Sequence, residues 1–244
     1  MSGHSKWSKI QHKKGAADTK RGNLFTKLCK AITVAAQSGG EDPEMNFSLR
    51  LAIERAKQGN VPKDNIERAV KRGTGELKDG AEIQEKIYEG YGPGGVAILI
   101  ETITDNTNRT VGEVKSTLSK YGGSLGGPGS VQWQFEHLGV VRLDNDQRAT
   151  INDQDSFELE LIEAGAEDIK TSEHGIEIRC HMDKFQNVLK AVEVEGITEP
   201  AYSGLEWIAK EELPADENLS QKIVTIYEAL QELDDVSEVY TNAA

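Results

Sequence analysis

The sequence predicts an α+β protein, in which an N-terminal three-helix domain is followed by two α+β (ferredoxin-like) domains, one inserted in the other. Three observations support this fold class. Apolar residues recur every three or four positions up to about residue 78, and runs with a period of two appear after it. Residues 138–202 follow the order β-α-β-β-α-β, which is typical of ferredoxin-like domains. With 244 residues, 37% of them hydrophobic, the chain can form more than one core.

The first domain, residues 1–78, is predicted to be a basic helical domain with a mobile N-terminal arm. An apolar stripe that begins at Leu24 predicts the first helix, which a glycine pair ends. Asp42 followed by Pro43 predicts the N-cap of the second helix, and Pro62 predicts the start of the third.

The second domain is predicted to be discontinuous and to consist of residues 79–137 and 203–244. Residues 96–103 form a β-type run, and a capping-box pattern at Thr110 predicts the helix that follows. A glycine-rich loop comes next, and the alternation around Trp133 then predicts a half-buried strand.

Residues 138–202 are predicted to form the inserted ferredoxin-like domain, which ends in a short extended segment. The tail behind it predicts a strand near 205–209, then a helix, and a last strand at 236–240. We assign this tail to the discontinuous domain.

Charge is distributed very unevenly along the chain. The whole protein has a net charge of -13, but residues 1–78 hold 16 Lys and Arg against 8 Asp and Glu. The remaining residues hold 12 basic and 33 acidic side chains. Such asymmetry indicates a basic segment that binds polyanions, because an acidic surface repels phosphate.

The basic charge is concentrated in the arm, residues 3–23, and in the start of the first helix. Lysines and arginines that alternate with an aromatic ring suit phosphate neutralisation together with stacking on an unpaired base. For Trp7, packing of the arm onto the helical domain is the alternative. The predicted nucleic-acid-binding residues are His4, Lys6, Trp7, Lys9, His12, Lys13, Lys14, Lys20, Arg21 and Lys27.

A polar loop after the run at 96–103 supplies a second candidate contact. Its members are Asp105, Asn106, Asn108 and Arg109. Asp, Asn and Thr are also ordinary turn and cap formers, so a purely structural role is the alternative.

The sequence gives no support for catalysis, a metal site or a cofactor. Residues 90–95 match G-x-G-x-x-G, but a strand follows where a dinucleotide site needs a helix. The five histidines lack metal-ligand spacing, and Cys29 and Cys180 are expected to be free thiols. No segment has the roughly 20 apolar residues that a membrane span requires. We therefore expect a cytoplasmic, non-enzymatic protein without a cofactor, metal, small-molecule substrate or membrane contact.

Six segments carry a resemblance to a known family: GHSKW at 3–7, KRG at 20–22, FTKL at 25–28, VPKDNIERA at 61–69, YEGYGPGGVA at 88–97 and GGSLG at 122–126. They resemble the YebC family, whose members are described as probable transcriptional regulators and include the mitochondrial translational activator of cytochrome oxidase subunit I. The resemblance implies a helical N-terminal domain and two α+β domains around a cleft. The family's polar loop usually reads Thr-Asp-Asn-Arg-Asn-Arg-Thr, whereas this chain has Thr107 at the middle position and keeps Arg109.

These observations predict a nucleic-acid-binding regulator of gene expression. We favour a ribosome-associated translation factor that contacts ribosomal RNA, because the basic residues concentrate in an arm rather than on one helix. A DNA-binding transcriptional regulator that meets promoter DNA is the alternative, and an acidic protein-interaction scaffold built on residues 138–202 is another. For the DNA alternative, the third helix offers Lys63, Arg68, Lys71 and Arg72.

Overall fold

The structure is a computed structural model that describes residues 18–77 and 83–244, with side chains from residue 22 onward. In this part of the chain, three helices precede two four-stranded antiparallel sheets, which confirms the predicted fold class. The chain divides into two compact units. Unit 1 consists of the described residues up to Gln134 together with Glu211–Ala244, and unit 2 is Phe135–Lys210.

The described helices and strands follow one another along the chain, with short 3-10 turns between some of them. In order they are α1 (Asp18–Gly39), α2 (Phe47–Gln58), α3 (Lys63–Gly73), β1 (Gln84–Tyr91), β2 (Ala97–Thr104), α4 (Thr107–Lys120), β3 (Ser124–Leu125), β4 (Phe135–Leu143), α5 (Asn145–Ala149), α6 (Gln154–Ala164), β5 (Ala166–Ser172), β6 (Gly175–His181), α7 (Phe185–Val194), β7 (Tyr202–Ala209), α8 (Glu217–Gln231) and β8 (Val236–Thr241). None of these helices is long and apolar enough to cross a membrane.

Helices α1, α2 and α3 share one apolar core, in which Ile32, Leu49 and Ala56 are fully buried. Two boundaries differ from the prediction. Helix α1 already includes Asp18, so the end of the arm is helical. The helix can begin before the apolar stripe that starts at Leu24, because its backbone hydrogen bonds do not depend on that stripe. Helix α2 starts at Phe47 because Asn46, rather than the predicted Asp42, accepts the capping hydrogen bond from the Leu49 N–H.

The sheet of unit 1 has the strand order β3-β1-β2-β8. Strand β8, from the end of the chain, pairs with β2, and helices α4 and α8 contribute to the core against this sheet. Strand β1 was not predicted, because half of its residues are exposed at consecutive positions and leave no alternating pattern. Helix α4 starts at Thr107 rather than Thr110, since Asn106 is its N-cap.

The segment around Trp133 is not the predicted strand. Residues 132–134 form a 3-10 turn, strand β4 begins at Phe135, and the Trp133 side chain is 68% exposed. The Glu89 carboxylate fixes the loop at residues 129–132 by accepting hydrogen bonds from the N–H groups of Gly129, Val131 and Gln132. The N–H groups of this loop bond a carboxylate and are therefore not available to pair with a strand. The alternating sequence does not show this and for that reason predicts a strand.

Unit 2 has the strand order β5-β6-β4-β7, the arrangement of a ferredoxin-like sheet. Helices α6 and α7 bury Phe157, Leu161 and Phe185 completely or nearly so. Gly139 lies directly under Phe185, where a Cβ would come within 2.6 Å of the ring. The strand predicted near 205–209 is β7, and it pairs with β4 in this unit rather than with the tail.

A cluster of charges crosses three strands of the second sheet. The Arg142 guanidinium on β4 donates to both carboxylate oxygens of Glu206 at 2.8 Å and to Glu177 at 2.6 Å. Arg179 donates to Glu177 as well, and the Tyr202 ring lies 4.9 Å from the Arg142 guanidinium. Burial raises the pKa of Glu177, but the two arginines outweigh it and set the pKa at about 2.

Candidate nucleic-acid interface

Most of the predicted nucleic-acid-binding residues lie outside the part of the chain that the structure describes. This applies to the arm residues before Asp18 and, for their side chains, to Lys20 and Arg21. The undescribed arm residues are His4, Lys6, Trp7, Lys9, His12, Lys13 and Lys14. Their placement at a nucleic-acid interface stays a prediction.

Lys27 is the one member of that set with a described side chain, and it faces the protein. Its Nζ donates to the backbone carbonyl of Gln231, the last residue of α8. The last carbonyls of a helix lack partners within the helix and carry partial negative charge, so a lysine there is favourable. Lys27 therefore attaches α1 to the end of α8. One turn further along α1, Lys30 contacts the segment that follows α8.

The centre of this attachment is the carboxylate of Asp235, whose side chain is 1% exposed. Lys30 Nζ lies 2.7 Å from its Oδ1, and Arg109 Nη2 lies 2.7 Å from its Oδ2. The hydroxyls of Thr104 and Thr110 lie 3.0 and 2.8 Å from the same Oδ2. Burial raises the pKa of Asp235, but the hydrogen bonds from Lys30, Arg109 and Thr110 outweigh it and set the pKa at about 2.

The predicted polar loop is thus built into the start of helix α4. Asn106 accepts from the Arg109 N–H as N-cap, and Asp105 lies 3.0 Å from Arg109 Nη2. Asn108 is exposed in the first turn of the helix. Two carboxylates meet one guanidinium here, so the loop offers a phosphate no excess of positive charge. The sequence could not show this, because Asp235 lies far along the chain.

Helix α3, the candidate recognition helix for DNA, presents mixed charge. Its buried residues Ile66 and Ala69 face the helical core. On the outer side, Lys63 lies 3.5 Å from Glu67, and Asp64 is exposed beside them. Lys71 and Arg68 are exposed further along. A helix that reads the major groove usually presents donors and cations, so these acids weaken that role for α3.

In the described residues, no cluster of three or more His, Cys, Asp or Glu side chains could hold a metal ion. Both cysteines are free thiols, and burial raises the pKa of each. His137 stacks on Trp207 at 4.6 Å between ring centroids, and burial lowers its pKa. These groups are packed into the fold, where a buried, protonated thiol is a poor nucleophile.

The fold and the charge distribution define a class: an α+β protein with a basic helical segment ahead of two antiparallel sheets. Residues 5–76 match the family described as TACO1/YebC protein N-terminal domain, and residues 83–243 match TACO1/YebC second and third domain. The chain therefore belongs to the TACO1/YebC family.

Similar proteins cover nearly all of the chain. Proteins of Geobacter sulfurreducens and Halothermothrix orenii are 48% and 46% identical to it; each alignment spans 99% of this chain, and 95% and 94% of the respective relative. Both relatives are called probable transcriptional regulatory proteins. A crystal structure of a conserved hypothetical protein from Aquifex aeolicus superposes with a TM-score of 0.83 at 40% identity and covers 96% of this chain and 95% of its own.

Proposed function

We propose that this protein is a non-enzymatic regulator of gene expression that binds nucleic acid, and that it acts on the ribosome as a translation factor. In this proposal, Lys13, Lys14, Lys20 and Arg21 neutralise phosphates of ribosomal RNA. Trp7 stacks on an unpaired base or anchors the arm. The remainder of the chain serves as an acidic body that does not wrap nucleic acid.

The observation that carries the proposal is the attachment of α1. Lys27 and Lys30 hold this helix against α8 and Asp235, so its basic side chains in the described part are committed to the protein. The net positive charge still available to a polyanion then lies mainly before them, because residues 1–26 hold 6 Lys and Arg against 1 Asp, whereas residues 31–78 hold 8 Lys and Arg against 7 Asp and Glu. A basic segment that precedes a fixed helix can supply cations to RNA phosphates without a recognition helix.

A second candidate function is DNA-binding transcriptional regulation, and the names of the relatives favour it. Helix α3 would then have to enter a groove. The exposed Asp64 and the Lys63–Glu67 pair oppose this, because carboxylates next to the phosphates cost binding energy.

The decisive experiment is sedimentation of the full chain with purified bacterial ribosomes at low and moderate salt. We expect co-sedimentation that weakens with salt, and a much weaker signal for the double variant Lys13→Glu/Lys14→Glu. Loss of two phosphate contacts should lower the salt slope of single-strand binding by about 1.4. The matched control is Lys115→Glu/Lys222→Glu, which makes the same charge change at exposed positions of α4 and α8.

The same proteins are then titrated with sheared duplex DNA at equal phosphate concentration. Tighter binding to the duplex than to ribosomes would favour the transcriptional candidate. Equal losses in the arm variant and in the control variant would show that net charge, rather than the arm, governs binding and would overturn the proposal.

A further inference from the structure

The helical layer of unit 2 exposes large apolar side chains to solvent. Leu159 and Ile162 on α6 are 63% and 57% exposed, Met182 in the 3-10 turn before α7 is 44% exposed, and Val194 at the end of α7 is 75% exposed. In the described part of unit 2, these are all of the large exposed apolar residues, and none lies on a strand. Exposed apolar side chains that adjoin one another, rather than lie scattered singly, are a mark of an interaction surface.

Helix α6 is apolar on two sides, and the fold uses only one of them. Phe157 and Leu161 are 1% and 0% exposed and pack into the core of unit 2. Leu159 and Ile162 are three positions apart, so they lie on one face of the helix, turned away from that core. An ordinary surface helix would carry polar residues at both positions. We call the face formed by Leu159 and Ile162 the outer face of α6.

The charges around the outer face indicate what binds there. Asp155, Glu158 and Glu163 are exposed on the same helix, which contains no basic residue. Across unit 2, 7 Lys and Arg stand against 17 Asp and Glu. A phosphate backbone would be repelled from this surface, whereas a cationic segment would be attracted to it.

We propose that the outer face of α6 docks a basic, amphipathic helical segment of a protein partner. The apolar side of such a segment covers Leu159 and Ile162, and its lysines and arginines meet the acidic rim. This is the helix-on-apolar-face mode of peptide recognition, with charge setting the choice of partner. The site is independent of the arm and of the proposed ribosomal role, so either one can fail without the other.

The test uses the full-length protein and a fluorescein-labelled Leu/Lys peptide of about 14 residues, a length at which such a helix can form. Its leucines lie on one helical face. We expect the double variant Leu159→Ser/Ile162→Ser to bind this peptide at least about tenfold more weakly in fluorescence anisotropy, because two apolar side chains are lost from the contact. The matched control is Met45→Ser, an 86% exposed methionine of unit 1, which should bind like the wild type.

A second pair of variants tests the acidic rim without altering the apolar residues. Glu158→Gln/Glu163→Gln should weaken peptide binding and flatten its salt dependence, whereas Glu217→Gln/Glu228→Gln on α8 should change neither. A scrambled peptide of the same composition that binds as tightly as the amphipathic one would overturn the proposal, as would unchanged binding to Leu159→Ser/Ile162→Ser.

Two other outcomes would identify a different occupant and also overturn the proposal. A concentration-dependent dimer that disappears in Leu159→Ser/Ile162→Ser, seen in analytical ultracentrifugation, would assign the face to a second copy of the chain. Binding of single-stranded oligo-U RNA that requires Leu159 and Ile162 would assign it to nucleic acid.

Discussion

In the described residues, each unit contains a cluster of charged side chains around one central residue, and the sign of the central charge differs between the two units. In unit 1 a single acid, Asp235, is held by the cations Lys30 and Arg109. In unit 2 the central cation, Arg142, is held by the acids Glu177 and Glu206, and a second cation, Arg179, also bonds Glu177. The partners of Asp235 come from two helices far apart in the chain, whereas those of Arg142 lie on the two strands that flank β4.

The difference teaches what each cluster does for the fold. The Asp235 cluster joins α1 to the start of α4 and to the segment between α8 and β8, so it fixes one layer against another. The Arg142 cluster joins neighbouring strands and thereby fixes their register, since a shift by one residue would turn these side chains to the opposite face. If the central residue of either cluster is removed, its charged partners lose a counter-ion while they are at least partly shielded from water.

The largest effect is expected when the centre of the second cluster is removed. In Arg142→Met, Glu206 loses its guanidinium while it is 5% exposed, and Glu177 keeps only Arg179. We expect a loss of about 4 kcal/mol in the free energy of unfolding, the range for breaking a buried ion pair. Hydrogen exchange should increase in β4, β6 and β7, and Arg148→Met should change stability by less than about 0.5 kcal/mol. An equal increase of hydrogen exchange in unit 1 would mean that the two clusters do not contribute to stability independently.

A smaller loss is expected for the centre of the first cluster. Asp235→Asn keeps the shape and the polar contacts with Thr104 and Thr110 but leaves Lys30 without a carboxylate and Arg109 with Asp105 alone. We expect a destabilisation of about 2 kcal/mol, less than for Arg142→Met because the Arg109 side chain is 44% exposed and can be hydrated. Amide exchange should rise in α1 and β8. If α1 stays fully protected, the attachment of this helix does not depend on Asp235.

The pH dependence offers a third comparison. The pKa of Asp235 is lowered from 3.8 to about 2, and that of Glu177 from 4.5 to about 2. A lowered pKa stabilises the folded state above the ordinary value, and that stabilisation is lost as the pH falls through the folded pKa. The wild type should therefore lose stability between about pH 4.5 and pH 2. The difference in urea midpoint between wild type and Asp235→Asn should shrink between about pH 3.8 and pH 2, and a constant difference would contradict the assignment.

The smallest effect belongs to a pair outside both clusters. Lys63 and Glu67 are 87% and 55% exposed and lie 3.5 Å apart on α3. Lys63→Ala should change the free energy of unfolding by less than about 0.5 kcal/mol, because water and salt screen an exposed pair. Thermal denaturation at low and high salt checks this. A loss near that of Asp235→Asn would remove the distinction between buried and exposed pairs in this protein.

Much of the fold was predictable because its elements follow local patterns. The apolar spacing of α1, α3 and α8 and the run that forms β2 gave the correct element types. Strand β1 was missed because its exposed half has no alternation, and Trp133 was placed in a strand because its neighbours alternate. Around Trp133 the local pattern fails because the N–H groups of the loop donate hydrogen bonds to Glu89 instead of to a neighbouring strand.

The contacts within the candidate site were less predictable, because the residues that form them lie far apart in the sequence. Sequence pattern identifies Lys27, Asp105 and Arg109 as polar residues but not their partners. Arg109 and Asp235 are 126 positions apart, and Lys30 and Asp235 are 205 apart. A contact of that kind follows from the sheet pairing of β2 with β8, which no window of neighbouring residues contains.

That same pairing sets an order for biosynthesis. Unit 2 is one continuous stretch, so its sheet needs no residue after Lys210. Unit 1 does need residues after Lys210, since α8, Asp235 and β8 come from residues 211–244. At the usual elongation rate of roughly 5–20 residues per second, helix α1 and strand β2 wait on the order of ten seconds for Asp235, α8 and β8. During that interval the apolar side of β2 lacks β8 and α8, which makes the half-made unit 1 the form of this protein most in need of protection from aggregation.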